Sequence, residues 1–372
     1  MTFLEGMTYF MTVSFFANQV RSSGSDSLSI QTHNIRGLKL TRGDPRALAL
    51  GGVASLKISA GERMVDILKF AAEHNITVVG GADPHVGIGG WIANGGHGPV
   101  SAHYGMGADQ VLEMEVVTAD GNLRTANENT NSDLFWALRG VSLTDMLLMQ
   151  ALTAIQGGAS NFAVIISVTV KAYETLPYTE FDFAYNTTAK SDAFWSMAAY
   201  FHSEIPRLAK SGLMGYFTVL PFDATEKNAS MQAKLVGTWL APNLKLSQVQ
   251  DLLAPMEEHM RTAQWGDPIS TAGYGRERPS FADGFAIENP PDSVGLPIRL
   301  GSRLLDEKAL SKPLPELNDA LKKSSDGEWP TLGHVIAGPG TWNPKGGVAG
   351  GSNAVFPAWR KACMQIGKFN TA

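Results

Sequence analysis

The sequence predicts an α+β protein in two parts, and three observations lead there. Residues 27–173 read as short strands separated by turn chemistry. Beyond residue 173, strand-like stretches alternate with helices about twice as long as those before. Dividing 372 residues by roughly 150 per domain gives about two and a half, so two domains or one bilobed unit is expected. Apolar residues make up 44% and charged residues 17%, enough to fill a large core and too little charge for a disordered chain. The net charge of −5 offers no basic surface to phosphate backbones or anionic lipid, so nucleic acid is not an expected partner.

In the first part, SLSIQTH and LKLTRG read as strands, and ALALGGVASLKIS as a run broken by Gly51 and Gly52. GERMVDILKFAAEHN places Met64, Ile67, Leu68 and Ala71 on one helical face, and TVVGG closes that unit as a strand. A long β segment at 110–118 leads into Asp120-Gly121, a hairpin dipeptide, and then NLRTA. Asn131 or Ser132 caps a short helix, DLFWALR, that stops at Gly140. FAVIISVTVKAY then sets Phe162, Val164, Ile166, Val168 and Val170 on one strand face. In the second part FDFAYN and GYFTVLPF read as strands, and LSQVQDLLAPMEEHM as a helix capped by Ser247. The Pro/Gly-rich stretches 267–296 and 338–351 carry little periodicity and read as loops. The domain boundary is expected at 173–177.

Cys363 is the single cysteine, so no internal disulfide forms. Sequons at Asn75, Asn186 and Asn228 matter only in a secretory compartment. Residues 7–17 form an apolar run, but Glu5 stands where a signal peptide carries Lys or Arg, and no cleavage site follows. The apolar run near 146–155 is about half of the roughly 20 residues a membrane helix requires. A small-molecule partner and no membrane are expected, with compartment and oligomeric state left unassigned.

The informative segment is GGADPHVGIGGWIANGGHGPVSAHYGMGAD, residues 80–109. Such glycine density lets a backbone approach a flat or anionic ligand and aim N–H groups at it, because no Cβ intervenes. The bland alternative is a structural glycine-rich loop. No G-K-[ST] follows, which excludes a P-loop, and the flanks lack the strand and long helix of a dinucleotide-binding βαβ unit.

VGIGGWIANGGHGPVSAHYGMGADQVLEMEVVTADG, then NSDLFWALRG, then ASNFAVIISVTVKAY, occur in that order along the chain. Together they resemble the PCMH-type FAD-binding domain of the vanillyl-alcohol-oxidase fold, in its fungal berberine-bridge-enzyme-like branch. LGSRLL at 300–305 and NAVFPAWRKA at 353–362 resemble pieces of the branch's substrate domain. The resemblance implies a two-part FAD-binding domain at 27–175, then an α/β substrate domain at 176–372 with a mainly antiparallel sheet that roofs the flavin ring. It also implies hydride transfer from a small organic substrate (an alcohol, a sugar, or a phenolic or alkaloid-like compound) to FAD, with O2 reoxidising the flavin. By resemblance, backbone at Val86, Gly87, Ile88, Gly89 and Gly90, and at Gly95, Gly96, His97 and Gly98, lines the pyrophosphate and flavin. Tyr104, Gly105 and Asp109 pack near by, and Asn161, Phe162 and Val164 pass the adenosine or ribityl portion. His97 stands either as a flavin neighbour or as a histidine held by backbone bonds in a tight loop. Trp136 and Phe135 read as core.

The chain departs from the pattern in four places. Residues 1–26 match nothing in the branch, and no GHD-like motif carries the histidine that attaches flavin covalently. Asp83 occupies the position of the cysteine that makes a second flavin bond, so the expected FAD is non-covalent. VSLTDMLLMQALTAIQ, residues 141–156, interrupts ALRG-GG; its codons can spell the splice signals of a short intron, so translated intron is expected, with a lineage-specific helix the alternative. The branch continues beyond PAWRKA, so truncation at both ends, with weak or absent FAD retention, is the expectation. No general base is assigned. Tyr216, Tyr274 and Glu277 lie in segments where the branch places one, although Tyr216 also reads as strand packing and the run Arg276 to Arg278 as a solvated loop. The eight histidines show no metal-ligand spacing. The first functional reading is an FAD-linked oxidoreductase; the second is an inactive remnant or binding module that keeps the fold.

Overall fold

The computed structural model describes residues 30–140, 162–187, 191–221, 233–281, 298–325, 330–344 and 352–371. The expectations for residues 1–26, for the insertion at 141–156, for Asn161 and for Asn228 lie outside them. Two compact units emerge. The first holds the described residues up to Leu176, together with those of 280–281, 343–344 and 352–359; the second holds the rest. Residues 343–344 and 352–359, assigned to the second domain from sequence, thus cluster with the first unit.

In the first unit the order is β1 (Leu38–Arg42), α1 (Pro45–Ala49), β2 (Ala54–Ser59), α2 (Met64–Glu73) and β3 (Ile76–Thr77). Then follow α3 (Ile88–Ala93), α4 (Ser101–Tyr104), β4 (Val111–Thr118), β5 (Leu123–Asn127), α5 (Ser132–Ala137) and β6 (Ala163–Glu174). The strands make one antiparallel sheet in the order β1-β2-β6-β4-β5, with β3 paired to β6. Helix α2 buries Met64, Ile67, Leu68 and Ala71, the face its spacing predicts. Each such large side chain contributes roughly 1.5–3 kcal/mol of burial. The β4–β5 hairpin turns at Gly121, whose φ of +80° suits the Asp-Gly pair.

Several local expectations are corrected. Residues 30–33 form no strand. The ALA of ALALGG is the end of α1: the Asp44 side chain accepts from Arg46 N at 2.9 Å and Pro45 takes the first helical position, an N-terminal signature that outranks the apolar run. TVVGG contributes only the end of a two-residue strand. Asn131 caps α5 through a left-handed backbone (φ 48°) while its amide donates to Thr125 O at 2.7 Å. Strand β6 is buried on both faces, Ser167, Thr169 and Lys171 included, whereas Phe162 is exposed and Ile166 half-buried; a central strand covered on both sides hides its alternation.

The second unit contains β7 (Tyr178–Asn186), α6 (Asp192–Lys210), β8 (Met214–Leu220), β9 (Lys234–Pro242), α7 (Leu246–Thr262) and β10 (Ser270–Arg278). It continues with β11 (Ile298–Asp306), α8 (Glu307–Leu310), α9 (Leu314–Ser324), β12 (Thr331–Val335) and β13 (Ala362–Thr371). Seven antiparallel strands run in the order β10-β7-β9-β8-β12-β13-β11. Helices α6, α7 and α9 cover one face around Phe183, Phe201, Phe217 and Trp239. In one row of that face Phe183, Gly237, Phe217, Gly333 and Ile366 stand opposite one another; a Cβ on Gly333 would enter the Phe217 ring, and one on Gly237 would meet the Tyr216 carbonyl and Phe217 Cβ. Ser247 does not cap α7: Lys245 N donates to Gln248 Oε1 at 2.9 Å instead, with Ser247 inside the first turn. The expected loop 267–296 contains β10, paired with β7 from Ser270 to Arg278; as an edge strand rich in Gly and charge it lacks apolar alternation.

Candidate functional site

The glycine-rich segment of the first unit is neither a strand nor an open loop. Met64 N donates to Val86 O at 2.9 Å and Ile88 N to Glu62 O at 3.2 Å, which pins the start of α3 beside the start of α2. The amides of Gly87, Gly89, Gly90 and Gly96 are all buried and meet no acceptor among the described residues. A buried donor left unpaired costs about 1–3 kcal/mol, so four in one segment fit an oxygen-rich, anionic group that supplies the acceptors.

Packing also requires glycine at several positions, Gly96 among them. The Trp91 indole, its Nε1 donating to His97 O at 2.9 Å, lies against Gly81, Gly96 and Gly107. A Cβ would stand 3.2 Å from Trp91 Nε1 at Gly81, 3.0 Å from the ring at Gly96, and inside the ring's contact distance at Gly107. At Gly98 a Cβ would run into the Gly80 carbonyl. Packing therefore accounts for Gly81, Gly98 and Gly107, whereas Gly96 both packs on Trp91 and carries an unmet amide.

Gly107 N donates to Gly96 O at 2.6 Å and Ala108 N to Gly95 O at 2.9 Å, which brings 95–96 and 105–109 together. Asp109 accepts from Met106 N at 2.9 Å and from Asn353 Nδ2 at 2.8 Å. Gln110 Nε2 donates to Tyr104 O and Met106 O, and its Oε1 accepts from Tyr173 OH at 2.6 Å. The Tyr104 and Tyr173 rings stack at 4.1 Å, and burial pushes the Tyr104 phenol up to about 12. His97 lies 5.8 Å from the Trp359 ring; burial pushes it down to about 4, so its imidazole is neutral at pH 7. Residues 352–355 dock on the end of α5: Ala354 N donates to Arg139 O, Arg139 Nη2 to Ser352 O, and Gly140 leaves room for Val355. Lys171, fully buried on β6, has no hydrogen-bond acceptor for Nζ among the described residues; burial pushes it down to about 8 against the pull of Asp109.

Phe162 and Val164 do not join this cluster. Val164 pairs with Val117 while Val170 pairs with Val111 beside Asp109, about 20 Å further along the strands, a distance only an extended ligand spans. Asp83 accepts from His85 N at 2.7 Å.

In the second unit, Tyr216 stands opposite His334 with the rings edge-to-face at 5.0 Å, and burial holds its phenol well above the usual range, so it is a hydrogen-bonding phenol rather than a phenolate base. Tyr274 is exposed, and Glu277 accepts from Leu246 N at 2.9 Å. The expected solvated loop at 276–278 is instead part of β10. Its Arg276 and Arg278 bind buried Glu180 at 2.8 and 3.2 Å; burial raises that carboxyl, but the two guanidiniums together bring it below its usual value. Sequence reasoning missed Asp182, Thr238, His334 and Gln365, which share the Tyr216 rung. Only strand register, which one sequence does not reveal, unites them.

Residues 19–127, which include the four unmet amides, match the FAD binding domain family. An uncharacterized FAD-linked oxidoreductase of Arthroderma benhamiae is 31% identical over 365 residues, 93% of this chain and 57% of the relative. The crystal structure of the VAO-type flavoprotein MtVAO713 from Myceliophthora thermophila aligns with a TM-score of 0.76 at 23% identity, covering 92% of this chain and 58% of that one. Xylooligosaccharide oxidase from the same fungus, in complex with xylobiose, aligns with a TM-score of 0.61 at 18% identity over 91% and 64% of the two chains. The chain thus carries an FAD binding domain, has the fold of the VAO-type flavoproteins and is similar in sequence to fungal FAD-linked oxidoreductases. It spans a little over half the length of the curated relatives it matches. Among the described residues, no cluster of His, Cys, Asp and Glu suits a metal ion, and no helix is long and apolar enough to cross a membrane.

Proposed function

We propose that this chain binds FAD without a covalent bond and oxidises a small organic substrate, an alcohol, a sugar or a phenolic compound, with O2 as the final oxidant. The observation that carries the reading is the set of buried, unmet amides at Gly87, Gly89, Gly90 and Gly96, inside the stretch that matches the FAD binding domain family. Those amides, with backbone at Val86, Ile88, Gly95 and Gly98, hold the diphosphate and ring edge; neutral His97 and the Tyr104–Asp109 turn shape the wall beside them. Asn161, Phe162 and Val164 serve the far end of the extended cofactor. When bound, the flavin supplies the acceptor for two electrons and a proton, taken together as hydride. Asp83 carries a carboxylate where a thioether would need a thiol, so nothing at that position attaches the cofactor covalently. On the second unit's sheet, the Tyr216 phenol orients a substrate oxygen by hydrogen bonding.

The test is a titration of the purified chain with FAD, followed by anaerobic addition of candidate substrates. The proposal expects saturable quenching of flavin fluorescence, full release of FAD on denaturation, and bleaching of the flavin's visible absorbance by one substrate class. A folded chain that leaves FAD fluorescence unchanged contradicts it.

A further inference from the structure

Two of the three sequons begin within the described residues, and the fold treats them differently. Asn75, of Asn75-Ile76-Thr77, is exposed in the turn between α2 and β3, at a left-handed φ of 52°. Its backbone N–H donates to Ala72 O at 3.1 Å, while its carboxamide has no hydrogen-bond partner among the described residues and is open to water. Asparagine tolerates this backbone, so the fold carries it at little cost. Asn186, of Asn186-Thr187-Thr188, instead ends β7 between two strands. It stands opposite Lys234 on β9 and Ser270 on β10, its Nδ2 donates to Ser270 Oγ at 3.4 Å, and Thr187 beside it is buried.

The surroundings of Asn75 suit a bulky attachment. Phe70 and His74, on the last turn of α2 and its cap, stack at 3.9 Å with their planes 20° apart, and both are half-buried. Their outer surface is apolar area next to an open carboxamide, area that a sugar ring attached there would cover.

We propose that Asn75 is an acceptor site for an N-linked glycan. The donor in a secretory compartment is an oligosaccharide carried on a lipid diphosphate. The Asn75 nitrogen bonds to the anomeric carbon of the first sugar, the bond from that carbon to the diphosphate oxygen breaks, and the nitrogen gives up one proton. The lipid diphosphate leaves, and nothing is oxidised or reduced. Thr77, whose hydroxyl completes the signal, is only 5% exposed once β3 lies against β6, so transfer precedes that pairing. The finished turn then holds the glycan outside the sheet, whereas a glycan on Asn186 would displace its contact with β10. This inference is independent of the redox reading.

The full chain, secreted from yeast behind a cleavable leader, tests it. Enzymatic release of N-glycans in heavy-oxygen water marks each former acceptor as a labelled aspartate in the peptide map, and chain retained in the cells is mapped in the same way. Wild type should carry the label at residue 75. Thr77→Ser keeps the hydroxyl and should keep the label; Thr77→Val keeps the β-branched shape that the strand packs and should lose it. Asn75→Gly fits the left-handed turn without the acceptor nitrogen, so that variant should fold and run lighter by one glycan. Asn186→Gln should leave the label at 75 unchanged. An unlabelled residue 75 in the wild type, a label there that survives Thr77→Val, or an Asn75→Gly chain as heavy as the wild type overturns the proposal.

Discussion

Asn353 Nδ2 donates a 2.8 Å hydrogen bond to Asp109 Oδ1, joining positions 244 residues apart. The bond ties residues 352–359 to the turn that follows the glycine-rich segment, next to the docking of Ala354 on Arg139. Because its acceptor is a fully buried carboxylate, Asn353→Ala should destabilise the first unit by about 1.5–3 kcal/mol, read as a lower urea midpoint. An unchanged midpoint would show that the carboxylate does not depend on that amide.

Gly107→Ala should cost about 1–3 kcal/mol, because the new methyl enters the six-membered ring of Trp91. Trp91→Phe removes the ring atoms it meets, so the double variant should lose less than the sum of the single losses. Strict additivity in a thermal-melt cycle would refute the packing role given to this glycine.

Lys171 makes stability depend on alkaline pH. Its amine titrates at about 8 in the folded chain against 10.5 as its ordinary value, so between those limits the unfolded state binds more protons. Stability therefore rises as pH climbs from 8 towards 10.5, and at pH 7 the buried charge withholds roughly 3 kcal/mol. Lys171→Met should gain stability at pH 7 and lose the alkaline rise. Parallel pH profiles of the two proteins would show the opposite of what is expected here.

Asp44 acts at the other end of the scale. The Arg46 bond outweighs burial, and with the Ser55 bond it holds the carboxyl down at about 2, so its contribution is complete above the unfolded value near 4 and is lost as pH falls through 2. Asp44→Asn should flatten the acid limb of the urea midpoint between pH 4 and 2 and lower stability at pH 7 through the weakened Arg46 and Ser55 bonds, since asparagine caps a helix as well as aspartate does. An acid limb identical to wild type would contradict the assignment.

Local periodicity made part of this legible: the buried face of α2, the β4–β5 hairpin and the strands β7 and β8 all follow from spacing. The ordered glycine and ALRG motifs carried the family. What escaped depends on partners distant in sequence. Strand β10 exists because β7 offers it an edge; Trp91 explains glycines on both sides of it; and Gln365 meets His334 only through register. Asp44-Pro45 was a readable signal that the apolar run obscured.

The most direct measurement is the FAD affinity of Gly87→Pro by fluorescence titration. Gly87 has φ −79°, close to what proline imposes, and its N–H meets no acceptor among the described residues, so the fold should tolerate the ring. With the melting temperature nearly unchanged, the loss of one N–H should weaken FAD binding about tenfold or more. Equal FAD affinity in the variant and the wild type, both folded, would contradict the assignment of these amides to the cofactor.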